Sequence, residues 1–258
     1  MPQLWHLTIA LTRREIEQRY KGSFGGLAWY VLQTLLSVGV YSLVFGTIFS
    51  ARWAEIGREP TSFTMALFLG LLFFNLFSEC VQRASTLIIT NVNYVKKIIF
   101  PLGILPMVAT ATALFNMLIG FAVFFVVAAI MGVPITATAL FLPLIIAPFS
   151  LLILGLTWFL ASIGTFVRDT AHVTGVVIMM MMFLSPLFYP SEILPAKLRG
   201  LIAFNPVSLP MEMARATVLF GQYPDPIALI IYSFVACGIA LLGYFWFEST
   251  RKGFADVL

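Results

Sequence analysis

Between residues 98 and 167 the chain runs for 70 residues without a single Asp, Glu, Lys, Arg or His. As one helix that run would be several times longer than the roughly 30 Å hydrocarbon core of a bilayer, which about 20 apolar residues cross. It must therefore fold back. Met131-Gly132-Val133-Pro134 is the best turn signal within it, dividing the run into crossings near 104–130 and 140–167. The composition agrees: 60% of the 258 residues are apolar and 10% charged, against about 45–50% and 25% in a soluble domain. That leaves too little polar material for a soluble domain, a disordered tail or a basic nucleic-acid arm. Cys80 and Cys237 both fall in apolar stretches, so neither a disulfide framework nor a thiolate metal site is expected.

The remaining uncharged runs predict crossings at about 27–50, 63–83, 172–188 and 227–247, which makes six and puts both termini on one side. In the second crossing, Glu79 and Arg83 stand one helical turn apart and are expected to pair near the interface. Assigned by side, the terminal side holds 10 Lys and Arg and the opposite side 5; acidic residues divide evenly apart from Glu79. By the positive-inside rule both termini are expected to be cytoplasmic. Residues 1–22 have their charges after the apolar part and no small-residue cleavage site, unlike a signal peptide. Trp5, Ile9, Ile16 and Tyr20 share one helical face flanked by Arg13, Arg19 and Lys21, the pattern of an amphipathic interface helix. Such a helix either anchors the topology or docks a partner. Segment 190–226 breaks at Asn205-Pro206 into two half-apolar pieces too short to cross, which a re-entrant external helical hairpin would satisfy. The fold class is therefore an all-α integral membrane protein of six transmembrane helices, with an N-terminal amphipathic interface helix and a re-entrant hairpin between spans five and six.

Catalysis or ion coupling in a membrane needs ionisable residues at depth, and these are nearly missing. His6 and His172 lie near predicted cytoplasmic ends, and no Ser/His/Asp set or metal-ligand spacing can be assembled. No Gly-Lys dipeptide occurs, hence no G-x-x-x-x-G-K-[ST] phosphate loop. Neither catalytic nor metal residues are assigned, and any uphill movement needs energy from a partner. The loop 84–101 is short, basic and amphipathic, ending at Pro101, which begins the next helix.

These residues resemble the permease subunits of type-2 ABC exporters, in the branch that exports polysaccharides such as O-antigen, capsule and teichoic acid. The likeness rests on Arg13-Arg14-Glu15-Ile16, Arg19-Tyr20-Lys21-Gly22-Ser23, Leu27-Ala28-Trp29, and Asn91 through Lys96-Lys97-Ile98-Ile99-Phe100-Pro101. It continues in Arg168-Asp169, Ser185-Pro186-Leu187-Phe188-Tyr189-Pro190, Asn205-Pro206 and the ending Gly253-Phe254-Ala255-Asp256. Where many members have a proline, Thr34 stands here. The resemblance implies a homodimer of permeases that binds two copies of a cytoplasmic ABC ATPase, with ATP and Mg on that partner and no cofactor on this chain. It implies that the loop carrying Asn91, Asn93, Lys96 and Lys97 is a coupling helix seated in the ATPase, and that Arg13, Arg14 and Glu15 touch the same partner. The cargo it implies is a lipid-linked glycan.

For the translocation path, Tyr41, Phe45, Phe49 and Trp53 stand four apart on one face of the first span, and Phe183, Phe188 and Tyr189 crowd the outer end of the fifth. An aromatic lining would let sugar rings slide; the same residues could equally fill helix interfaces or interfacial belts. Met179 to Met182 reads as adaptable packing. The alternatives are an exporter of drugs or lipids on the same scaffold, or a membrane transferase acting on lipid-linked substrates. The transferase would have to use Glu79, Asp169 and His172.

Overall fold

The computed structural model describes residues 2–21, 26–55, 60–96, 100–189, 200 and 205–258; side chains at 2–3, 21, 45–55 and 60–62 lie outside that description. The regular structure of the described residues is all helix, with no strand. In order come α1 (Pro2–Lys21), α2 (Leu27–Glu55), α3 (Pro60–Ala84), the one-turn helices α4 (Leu87–Thr90) and α5 (Val92–Val95), and α6 (Ile104–Ile130). They are followed by α7 (Leu142–Phe166), α8 (Thr170–Leu184), α9 (Ser208–Leu219), α10 (Pro226–Thr250) and the short α11 (Phe254–Val257). Five of these, α2, α3, α6, α7 and α10, are long and apolar enough to cross a membrane. Helix α8 has only 15 residues, about 22 Å, and falls short of that length by itself.

Helix α3 is the hub. From Phe63 to Phe74 it is apolar almost all round and buried, so this stretch is the one the other helices surround. Leu67, Phe68, Leu69, Leu72 and Phe73 are fully buried. Phe68 meets Phe124 of α6 edge-on at 5.5 Å, and Phe73 meets Phe149 of α7 at 5.4 Å. Helices α7 and α10 instead approach backbone to backbone. A Cβ at Gly243 would lie 2.1 Å from the Gly155 carbonyl oxygen, and one at Gly155 would lie 2.6–2.7 Å from Ile239 and Ala240 backbone atoms. Small residues replace large ones where helices in lipid gain their contact from close backbone packing.

The turn between α6 and α7 forms at Gly132, whose φ of +67° is one that glycine adopts without steric penalty. Helix α8 stops at Leu184 because Ser185 precedes Pro186 and is extended (φ −88°, ψ 148°). Segment 185–189 then folds under α9. The second half of the 190–226 segment is the buried helix α9, with Met211 and Arg215 against Gly70 of α3. The first half, 191–204, lies outside the described residues apart from Gly200.

At one end of the bundle Leu87, Ile88, Leu105, Trp158, Phe247 and Phe254 form a second apolar cluster, and the Trp158 indole donates to the Gly103 carbonyl at 3.0 Å. At the other end, Thr136 and Thr138 donate to the last carbonyls of α9, the Thr138 hydroxyl to Thr217 at 2.6 Å.

Candidate functional site

Helix α1 lies against α6, with Trp5, Ile9 and Ile16 lining one apolar groove alongside Leu114 and Leu151. Its polar attachments correct one sequence expectation: Glu79 and Arg83 do not pair with each other. Glu79 accepts from Arg19 of α1, and its two carboxylate oxygens also accept from the Asn116 amide at 3.1 and 2.9 Å. The Tyr20 hydroxyl donates to Asn116 Oδ1 at 2.7 Å, and Arg83 donates to Glu15. A carboxylate with charged and amide donors across helices is held far better than by one exposed i,i+4 contact, worth about 0.3–0.5 kcal/mol. Burial works against the Arg19 charge, but the hydrogen bond and attraction of Glu79 outweigh it, so the guanidinium is held above its ordinary pKa. Burial likewise pushes the Tyr20 phenol up.

These pairs make a direct test. Glu15→Arg or Arg83→Glu alone should destabilise the detergent-solubilised protein by about 1–2 kcal/mol, seen as a lower thermal midpoint. The double exchange should recover most of it; a double variant as weak as the sum of the singles would show that the two groups do not interact.

The loop after α3 is a broken helix. The Asn91 amide donates to the Leu87 carbonyl at 2.8 Å and closes α4, while Tyr94 stacks on Phe100 at 4.4 Å. Asn93 and Lys96 are exposed; Lys97 lies outside the described residues. The structure brings the loop and α1 together, because Arg14, Glu15, Asn91 and Tyr94 line one cleft of about 240 Å³. Arg14 is exposed there, Arg13 pairs with Glu17 at 3.1 Å, and Glu15 is engaged with Arg83.

A larger cavity of about 440 Å³ opens between the C-terminal end of α1, α2 and α3. Gln33, Thr34, Ser37, Asn75 and Ser78 supply its uncharged polar groups, Tyr20, Trp29 and Tyr30 its rings, and the Arg19–Glu79 pair its only charges among the described lining residues. The sequence reading missed this site, although its signal was present: Gln33, Asn75 and Asn116 are amides inside otherwise apolar spans, and such residues mark function when they occur.

Four of the aromatic path candidates come together at the opposite end. Tyr41 meets Phe188 at 5.6 Å, Phe188 meets Phe183 at 6.2 Å, and the Tyr189 hydroxyl donates to the Phe183 carbonyl at 2.8 Å. Phe188 is buried and Phe183 exposed. The side chains of Phe45, Phe49 and Trp53 lie outside the described residues. Met179 and Met180 are exposed on α8, while Met181 and Met182 pack against the core. Beneath the Phe188 cluster sits Arg215, 4% exposed, which donates to the carbonyls of Ala66, Pro186 and Leu187. Read from sequence, it was one more external charge.

Among the described residues, no three His, Cys, Asp or Glu stand close enough to hold a metal ion. Asp169 and His172 are both exposed. Glu79 is engaged with Arg19 and Asn116, and no hydrogen bond or ion pair joins it to either of them. A bundle of long apolar helices, with the charged groups among the described residues kept to its two ends and one cavity, is a multi-pass membrane protein. The chain belongs to the ABC-2 type transporter family, whose pattern matches residues 6–219, and is thus the membrane component of a transporter. It is 28% identical to the O-antigen export system permease protein RfbA of Myxococcus xanthus, over 97% of this chain and 94% of that one. Two permeases of the same name from Klebsiella pneumoniae are 23% and 22% identical, each over 99% of this chain and 96% of their own length.

Proposed function

We propose that the chain is the channel-forming permease subunit of an ATP-driven exporter that moves a lipid-linked polysaccharide, of the O-antigen kind, from the cytoplasm across the inner membrane. The observation that carries this reading is the match, over nearly the whole length of both chains, to permeases named for O-antigen export. With no phosphate loop in this chain, ATP and Mg are handled by a separate cytoplasmic ATPase, two copies serving a permease homodimer. In the membrane the chain makes six spans with both termini cytoplasmic, α8 and segment 185–189 together forming the fifth, and α9 closes the re-entrant hairpin.

In this reading the loop at Asn91 to Lys97 is pressed by the ATPase as its nucleotide-bound dimer closes. Arg14 and Asn91 share one cleft, so the ATPase meets a single surface made of α1 and the loop. Arg14 and Lys96 are exposed on it, and their charges suit an acidic rim on the partner. Motion received there passes to α3 through the two ion pairs that bind α1 to it.

Deleting the gene should abolish surface polysaccharide without lowering its synthesis, so that lipid-linked glycan accumulates inside. Lys96→Glu with Lys97→Glu should reproduce that loss while the permease stays folded in the membrane. Normal export together with undiminished co-purification of the ATPase would overturn the coupling role. Surface polysaccharide unchanged by the deletion would overturn the cargo and favour the drug or lipid reading.

A further inference from the structure

The cavity between α1, α2 and α3 is a feature that channel lining by aromatic rings does not explain. It runs along α2 from Gly26 to Ser37, about 16 Å at 1.5 Å per residue, or roughly half the hydrocarbon core. Within it the Gln33 and Asn75 side chains are exposed to the cavity. Among the described residues, neither amide nor the Ser37 hydroxyl has a hydrogen-bond partner, whereas Ser78 donates back to the Asn75 carbonyl at 3.2 Å. A primary amide at this depth facing lipid would forfeit several kcal/mol. These groups must therefore be met by water or by something that displaces water.

The chemistry of the lining narrows what that is. Amides and hydroxyls offer both donors and acceptors, the complement of a ligand dense in hydroxyl groups. Trp29, 59% exposed, and the half-buried Tyr30 stand beside them, and their negative ring faces attract the polarised C–H face of a pyranose. The charges cancel, because Arg19 is bound to Glu79. An anion such as pyrophosphate would meet no net positive field here, while a neutral ligand would face no charge to desolvate. A volume of about 440 Å³ lies within the ~300–1,000 Å³ of small-ligand sites, enough for a sugar unit and far too little for a polymer.

We propose that this cavity is a saccharide site that holds an uncharged sugar unit of the glycan at the mouth of the path nearest the chain termini, through Gln33, Ser37 and Asn75 with Trp29 and Tyr30 stacked on the ring. The proposal rests on the polysaccharide-export reading above. It makes the cavity a station for the glycan part of the substrate rather than for its lipid diphosphate.

The test uses the full-length permease in nanodiscs, probed by saturation-transfer NMR with methyl glycosides of mannose, galactose, rhamnose and N-acetylglucosamine, and with inorganic pyrophosphate as competitor. At least one neutral glycoside should bind at millimolar concentration. Gln33→Leu and Asn75→Leu, which break no internal hydrogen bond, should each weaken it about tenfold or more, and pyrophosphate should not displace it. No binding by any glycoside, binding that survives the double variant, or displacement by pyrophosphate would each overturn the proposal. Export separates this failure from that of the parent reading. If the gene deletion loses surface polysaccharide but the Gln33→Leu, Asn75→Leu double variant exports as the parent does, the permease assignment stands and the site is wrong. If the deletion itself changes no surface polysaccharide, the parent reading is wrong.

Discussion

Gly243→Leu should leave almost no folded protein in the membrane fraction. The new Cβ would stand 2.1 Å from the Gly155 carbonyl oxygen and 2.8 Å from its carbon, and both are backbone atoms of α7 that no rotamer change can remove. The two helices would have to separate along their whole contact, and a separation in lipid forfeits the packing that joins them. Overpacking a well-filled core costs about 1–3 kcal/mol when side chains can adjust; here they cannot, and the loss should reach or exceed the top of that range. Gly238→Leu on the same helix is the control, since a Cβ there meets nothing within 4 Å. Immunoblots of membranes and thermal unfolding in detergent should separate the two: Gly238→Leu near the parent, Gly243→Leu absent or melted. Equal behaviour of the two variants would mean that α7 and α10 are not packed as described.

Arg215→Met should be the most damaging side-chain change. The guanidinium serves the carbonyls of Ala66, Pro186 and Leu187, so one residue joins α9 to α3 and to the extended segment after α8. A buried carbonyl left without its donor costs about 1–3 kcal/mol, and three are left here. Arg215→Lys should rescue little, since an ammonium is a point charge that cannot reach three carbonyls in a planar fork. Gly70→Ala attacks the same joint from the opposite side: its Cβ would lie 2.4 Å from Arg215 Nη2 and 2.8 Å from Leu187 Cδ1. Both Arg215→Met and Gly70→Ala should open 185–226 to proteolysis and lower the unfolding midpoint. An Arg215→Met protein as protease-resistant as the parent would refute the pin.

The helical class could be read from the sequence because lipid permits so few ways of satisfying a backbone, and a charge-free run of that length leaves only helices that turn back. The turn at Gly132 was legible for a local reason: glycine followed shortly by Pro134 cannot continue a helix comfortably. What was not legible depended on which helix lies beside which. Glu79 and Arg83 look like partners along one helix and turn out to have partners on α1. Arg215 counts as one external charge in a tally, and only the fold reveals the three carbonyls around it. At the site, Asn91, Arg14 and Glu15 could be named in advance from the family likeness, and the structure brings them to one cleft. That Asn91 closes α4 while Asn93 and Lys96 face outward is set by where a four-residue helix ends, which spacing alone does not say. The cavity at Gln33 and Asn75 arises between three helices, so no single stretch of chain announces it.

The two links between α1 and α3 alternate in sign: Arg19 meets Glu79, and Glu15 meets Arg83. Positions 15 and 19 are one turn apart on α1, and positions 79 and 83 one turn apart on α3, taken in opposite order. If α1 slid by one turn, about 5.4 Å, in one direction, Arg19 would face Arg83; in the other, Glu15 would face Glu79. Either step replaces attraction with repulsion, so the charge order works as a detent that admits one register. A slip of α1 along α3 is therefore opposed at both links, so a force applied to α1 would be passed to α3 in register.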